Sequence, residues 1–218
     1  MRAQIVLYDG FDPLDVIGPF EVLAAGSEFV GGELAVALVS AQGARSVTSG
    51  TLGLTLSASD ALDPDQAGCV LVPGASGPIA GDPDDGVDTI AVLLARAADT
   101  ELTPLLAKAF QNSATTMAAV CGGSMIMAMA GLIEGRHAVT HHLGLDLLDA
   151  AGVHAVAARV VDDGDLVTSG GVTSGLDLAL HLLDRWYGPR VARAVEELFE
   201  YERRGVVWRN AGREPQEV

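Results

Sequence analysis

Positive charge is what this sequence has least of. Thirteen Lys and Arg stand against 29 Asp and Glu, a formal net charge of −16, and Lys108 is the single lysine. A surface of that sign repels phosphate backbones and offers anionic lipid no basic patch, so neither nucleic-acid nor membrane binding is expected. Cysteine is almost as scarce. Cys69 and Cys121 are the only two, too few for a disulfide framework or a cysteine-rich zinc site, and no metal or other cofactor is expected. The N-terminus lacks a basic, apolar and small-residue leader, because Ile5-Val6-Leu7 runs straight into Asp9 and Asp12; reduced thiols in a cytoplasmic protein are the expectation. Met117 to Ile133 carries no charge, but Gly122-Gly123-Ser124 breaks it and the apolar pattern differs on either side. That reads as a buried strand passing into a buried helix rather than a membrane span.

No repeat, low-complexity tract or linker divides the 218 residues, of which 49% are hydrophobic and 19% charged. One domain is expected over residues 1–201, followed by a C-terminal tail, 202–218. Strands are predicted at Ala3–Tyr8, Leu34–Val39, Cys69–Val72 and Thr115–Val120, with a hairpin over Arg45–Leu56 and a strand pair, Ala155–Val161 and Leu166–Thr168, around Asp163-Gly164. Helices are predicted at Asp15–Ala25, Asp88–Ala98, Leu102–Phe110, Ser124–Gly131, Val172–Tyr187 and Val191–Tyr201, with Pro19 placed in a first turn, where proline is tolerated. The alternation implies an α/β fold, a mostly parallel central sheet covered on both faces. Ligands in such folds sit beyond the carboxyl ends of the strands, which directs attention to 9–18, 73–78, 121–124 and 169–173.

The sharpest local feature is Val120-Cys121-Gly122-Gly123-Ser124. A strand meets a nucleophilic side chain, two glycines and a helix, the form of a nucleophile elbow. The amide groups of a helix N-terminus favour thiolate over thiol, and no cation lies in the segment between Lys108 and Arg136 to do so instead. Cys69, inside Gly68-Cys69-Val70-Leu71-Val72, has no elbow and reads as core. Asp15 stands among apolar residues after the first strand; it is either a helix N-cap or a general acid/base beside the thiol, with Glu21 as its rival and Asp9 and Asp12 as solvated loop acids. The amides of Gly74 and Ala75 could cradle developing negative charge. Gly170 and Gly171 could pack against a ligand or the elbow. His141 and His142 read as pocket-lining or structural rather than as metal ligands, and Met125, Met127 and Met129 as core filling.

Three stretches resemble the ThiJ/PfpI superfamily, relatives of the class I glutamine amidotransferases: 14–23, beginning Leu14-Asp15-Val16-Ile17-Gly18-Pro19; Val120-Cys121-Gly122-Gly123-Ser124 with Ala130-Gly131-Leu132; and Gly170-Gly171-Val172-Thr173-Ser174-Gly175-Leu176-Asp177. Within it they look like the isocyanide hydratase branch and the ligand domain of AraC-type regulators. The resemblance implies a flavodoxin-like three-layer α/β/α sandwich, a homodimer, Cys121 as nucleophile and Asp15 as acid/base. Peptidase-like members carry His directly after the cysteine and the hydratases carry Thr, whereas this chain has Gly122. A regulator would continue into a basic helix-turn-helix domain, which an acidic chain ending at Val218 is not expected to supply.

The leading expectation is hydration of an isocyanide to an N-substituted formamide through a thioimidate on Cys121. Gly74, Ala75, Gly122, Gly170, Gly171 and His141 would bind substrate or intermediate, and Phe20, Pro78 and Ile79 would add to the pocket wall. The uncharged surroundings of Cys121 suit a small neutral organic substrate. The alternatives are a ligand- or redox-sensing module without catalysis, and a glyoxalase- or deglycase-like enzyme acting on small aldehydes.

Overall fold

The structure, a computed structural model, describes residues 1–213. In chain order its strands are β1 (Arg2–Val6), β2 (Ala35–Ser40), the hairpin β3 (Arg45–Thr48) and β4 (Thr55–Ala58), β5 (Asp60–Ala61), β6 (Cys69–Val72), β7 (Thr116–Val120), the short parallel pair β8 (His137–Ala138) and β9 (His154–Ala155), β10 (Val160–Asp163), β11 (Leu166–Ser169) and β12 (Trp208–Arg209). Eight of them form the central sheet in the order β12-β10-β11-β7-β6-β1-β2-β5. Every neighbouring pair is parallel except β10–β11. β6 and β7 are apolar without alternation because both their faces are buried, as a parallel sheet under two helical layers requires.

The helices are α1 (Pro13–Phe29), α2 (Ile90–Ala98), α3 (Leu102–Phe110), α4 (Gly123–Met129), α5 (Leu145–Ala150), α6 (Ser174–Tyr187) and α7 (Pro189–Leu198). α1, α6 and α7 pack together as one layer, and α2 packs on α3 and α4 in the other. This is the expected mostly parallel, flavodoxin-like architecture. α1 meets α6 closely enough to need glycine. A Cβ at Gly26 would stand 2.5 Å from Leu183 Cδ2, and one at Gly175 would stand 3.0 Å from Pro19 Cγ.

Several boundaries differ from the sequence reading. α1 starts two residues early because Asp12, not Asp15, is its N-cap, accepting the Leu14 N–H at 2.9 Å, with Pro13 in the first turn. Pro19 therefore lies inside the helix, where it has no N–H to give the Asp15 carbonyl. The stretch read as one strand from Ala155 splits into β9 and β10, and α5 was not foreseen. The segment set apart as a tail from residue 202 is partly docked on the sheet. Arg204 N–H donates to Asp177 Oδ1 at 2.7 Å, Arg203 pairs with Glu196 at 2.9 Å, and β12 lies parallel to β10. No helix among the described residues is long and apolar enough to cross a membrane.

Candidate active site

β7 ends at Val120, and the chain turns sharply on Cys121, whose φ is +54°. That left-handed conformation is uncommon for a residue with a side chain and costs backbone energy unless neighbours hold it. They do so on both sides of the residue. Cys121 N–H reaches the carbonyls of Ser169 at 3.0 Å and Gly170 at 3.2 Å. Its own carbonyl accepts the Thr140 hydroxyl at 2.9 Å and the Ser124 hydroxyl at 3.2 Å. Gly123 is fixed by close approach, since a Cβ there would stand 2.0 Å from the Val72 carbonyl oxygen. The elbow read from the sequence is thus present in backbone geometry.

Asp15 projects from the first turn of α1 and is fully buried. One carboxyl oxygen accepts the Gly74 N–H at 2.9 Å; the other, Oδ1, has no hydrogen-bond partner among the described residues. Gly74 marks where the parts converge. A Cβ on it would lie 2.8 Å from Asp15 Oδ2, 3.1 Å from Cys121 Cβ and 2.6 Å from Gly122 N. Burial, reinforced by the charge of Asp12, pushes Asp15 up to about 8, against the opposing pull of the Gly74 N–H and Cys121. Burial also pushes the Cys121 thiol up; Asp15 pushes it further, and the Gly122 N–H pulls it back only in part. Burial and Asp15 thus work against the thiolate that a helix N-terminus was expected to favour, and the Gly122 N–H is the group that favours it. Burial favours the protonated form of both side chains. Glu21, the rival acid, is exposed on α1.

Cys121 and Gly122 stand on the wall of a cavity of about 670 Å³, with Ala75, Thr140, His141 and Val172 around them. Asp12 is the one carboxylate on that wall among the described residues. Asp15 is not on it, and lies sealed behind the cysteine. Of the two glycine-rich loops, Ala75 reaches the cavity, whereas the Gly74 N–H is already spent on Asp15. Gly170 and Gly171 do not line it. Gly170 donates to the Arg159 carbonyl at 3.1 Å and accepts from Cys121, while the Gly171 carbonyl takes the Ser174 hydroxyl at 3.0 Å. Their expected role as ligand contacts thus gives way to support of the elbow. Gly171 must be glycine because the His141 ring lies on it, with Cδ2 2.2 Å from where a Cβ would be.

His141 faces the cavity. Its Nδ1 accepts the Leu143 N–H at 3.3 Å, which leaves the proton of a neutral ring on Nε2. Burial, with His142 beside it, pushes its pKa down, so it is a neutral donor. His142 is exposed. Of the other residues expected on the wall, Ile79 is there and Phe20 and Pro78 are not. Met127 is core, whereas Met125 and Met129 line the cavity. The sequence reading missed Thr140 and Tyr8. Tyr8 is buried, with its hydroxyl on the Pro73 carbonyl at 3.0 Å and its pKa raised by burial and by Asp15 and Cys121 nearby. Its only signal was its position at the end of the first apolar run. No group of three or more His, Cys, Asp and Glu side chains is gathered to hold a metal among the described residues.

The DJ-1/PfpI family model matches residues 94–185, which include the elbow and the Gly170-Gly171 motif. A solved THiJ/PfpI family protein from Pseudomonas syringae superposes with a TM-score of 0.77 at 26% identity, over 97% of this chain and 78% of that one. Over residues 94–185 the chain is similar to the DJ-1/PfpI family. Among curated proteins, isonitrile hydratase of Pseudomonas putida is 44% identical over 82 residues, covering 38% of this chain and 36% of that protein. The transcriptional regulator GbdR of Pseudomonas aeruginosa is 36% identical over 89 residues, covering 40% of this chain and 24% of the regulator. These matches span about a third or less of the length of either relative. In this chain the position after the cysteine is filled from outside. A Cβ on Gly122 would meet Leu94 Cδ1 at 2.9 Å, so the α2 leucine occupies the space a threonine would need.

Proposed function

We propose that the chain is a cysteine-dependent hydratase that converts an isocyanide and water into an N-substituted formamide. The observation that carries this reading is the buried Asp15 carboxyl, its pKa raised to about 8, held at Gly74 beside Cys121, which itself opens onto a cavity whose wall holds one carboxylate among the described residues. The reaction adds S–H across a carbon that must receive both a nucleophile and a proton, and a thiol paired with a carboxylic acid holds both. Cys121 Sγ attacks the terminal carbon of R–N≡C; Asp15 gives that carbon its proton and takes the thiol proton in exchange. The product is a thioimidate, R–N=CH–S, with the carboxyl protonated again. Asp15 next protonates the nitrogen and, as carboxylate, takes a proton from the attacking water. When the C–S bond breaks, the thiol recovers a proton from Asp15, which takes the hydroxyl proton as the carbonyl forms. R–NH–CHO is released. For these steps a carbon bonded to Sγ has to come within reach of Asp15 Oδ1, the carboxyl oxygen with no hydrogen-bond partner among the described residues. His141 on the cavity wall and the Gly122 N–H at the Cys121 side chain are neutral donors near the site. The partial match to isonitrile hydratase supports the same reading.

Incubation with an alkyl or aryl isocyanide should yield the formamide, and the Cys121→Ala protein should not. Equal formamide from both would remove the proposal. The match to GbdR supports a second reading, a ligand-sensing domain that binds in the same cavity without chemistry. It expects saturable binding of a neutral ligand that survives Cys121→Ala, with no turnover in either protein.

A further inference from the structure

The cavity is wider than the hydration chemistry needs, and it is apolar in one direction. From Cys121 the wall continues along α4 to Met125 and Met129, residues one turn apart and about 6 Å along the helix axis. Ile90 and Leu94 of α2, Leu147 of α5 and Ala151 at its C-cap line the cavity with them. Exposure rises along this path, from 8% at Cys121 to 45% at Met129 and 63% at Leu147. Leu143 and Ile79, both exposed, complete the mouth. Large apolar side chains are not left in contact with water around a cavity mouth without a stability cost, and contiguous patches of this kind mark binding sites. No Lys or Arg lies on the wall. Methionines are flexible enough to fit chains of different shape.

We infer that this arm seats the nitrogen substituent of the substrate, and that the physiological substituent is an extended, uncharged alkyl or aryl group rather than a short or carboxylate-bearing one. The inference rests on the hydratase reading for the identity of the reacting end. The seat itself rests on the lining residues alone. An isocyanide carbon on Cys121 leaves its substituent an apolar way along Met125 and Met129, past Leu94 and Leu147. Each methylene buried on that path adds a transfer free energy equivalent to about fourfold in kcat/KM. An anionic group would enter past Asp12 into a chain of net charge −16.

The test is a substituent series. kcat/KM for n-butyl, n-hexyl and n-octyl isocyanides should climb about tenfold or more per step until the chain reaches the mouth. 6-Isocyanohexanoate should fall at least tenfold below the hexyl compound. Met129→Glu and, separately, Leu147→Lys should flatten the ratio of octyl to butyl toward one. In parallel, calorimetry with the matching N-alkylformamides reads the seat without turnover, and their affinity should rise with chain length and lose that rise in both variants. Hydration with no chain-length dependence would overturn the seat while leaving the reaction standing. Formamide affinity that climbs with chain length where no isocyanide is turned over would keep the seat and overturn the reaction. Flat formamide affinity in the native protein would overturn the seat in either case.

Discussion

Cys69 and Cys121 sit on neighbouring strands of one sheet, both buried and both with thiols pushed up by burial. They differ in where the strand leaves them. Cys69 pairs with Thr116 at the amino end of β6, about 16 Å of strand short of the level of Cys121. Burial alone holds its thiol, at about 12. Cys121 lies just past the carboxyl end of β7, on a left-handed residue, with a carboxyl behind it and a cavity in front. Burial and thiol chemistry do not separate the two. Position along a parallel strand does, because ligand sites in such sheets gather in the loops beyond the carboxyl ends of the strands.

The harshest way to break the comparison is to remove each sulfur. Cys121→Ala should lower isocyanide turnover at least a thousandfold with little change in Tm, since the alanine still fits the elbow. Cys69→Ser should do the reverse. A hydroxyl in the apolar interior of β6 costs about 1–3 kcal/mol of stability in urea unfolding, while turnover at a temperature well below Tm stays within twofold. Loss of turnover in both proteins would show that the strand-end argument does not select between them.

Asp15 is what Cys69 lacks, and Asp15→Asn should bring the two cysteines closer in character. Turnover should fall by about a hundredfold to ten-thousandfold, since the asparagine keeps a group for the Gly74 N–H but cannot exchange protons. Stability should move the other way, with a pH dependence whose sign follows from the raised pKa. In the unfolded chain the carboxyl ionises near its ordinary 3.8, and in the folded protein only near 8. Folding therefore holds a proton between those values, so its contribution is lost as pH rises from about 4 and the loss is complete by about 8. Asp15→Asn should match the native protein near pH 4 and exceed it by a few kcal/mol at pH 8. In the native protein, kcat/KM for isocyanide hydration should decline as pH rises through about 8, where the acid is lost. A profile flat across pH 6–9 would contradict the acid's role.

What the sequence made legible follows the same divide. β6 and β7 fall close to their predicted positions because burial on both faces demands continuous apolar runs, and α3 does so because its buried residues recur at helical spacing, whereas β10 starts five residues later than predicted. The elbow was legible because Gly122-Gly123 after a strand-end cysteine has few other uses. Asp15 was only half legible, since an acid early in a helix serves equally as a cap; Asp12 takes that duty in the fold, and nothing local to either residue says which. The roles of Gly74, Gly170 and Gly171 depend on which donor is consumed by which neighbour, a three-dimensional matter. Met125 and Met129 differ from Met127 only by helical phase, and a uniformly apolar segment hides that phase. α5, whose residues 147 and 150 line the cavity, is too short and too mixed in pattern to declare itself.

The smallest predicted effect concerns the residue after each cysteine. Val70 follows Cys69 inside a strand and fits its core, whereas Gly122 follows Cys121 and cedes its side-chain space to Leu94. If that space is merely taken, Gly122→Thr should lose about 1–3 kcal/mol of stability from overpacking. Leu94→Ala should also destabilise, by leaving a void. The double variant should recover part of both losses, giving a coupling of about 1 kcal/mol in a double-mutant cycle of urea unfolding free energies. Strict additivity would mean that Leu94 does not hold the place of a larger residue at 122. Turnover in the double variant then reports what the added hydroxyl does beside Cys121 once room exists for it. A gain over Leu94→Ala alone would show that this site can use a hydroxyl at position 122, where Cys69 in its closed strand has nothing to gain from one.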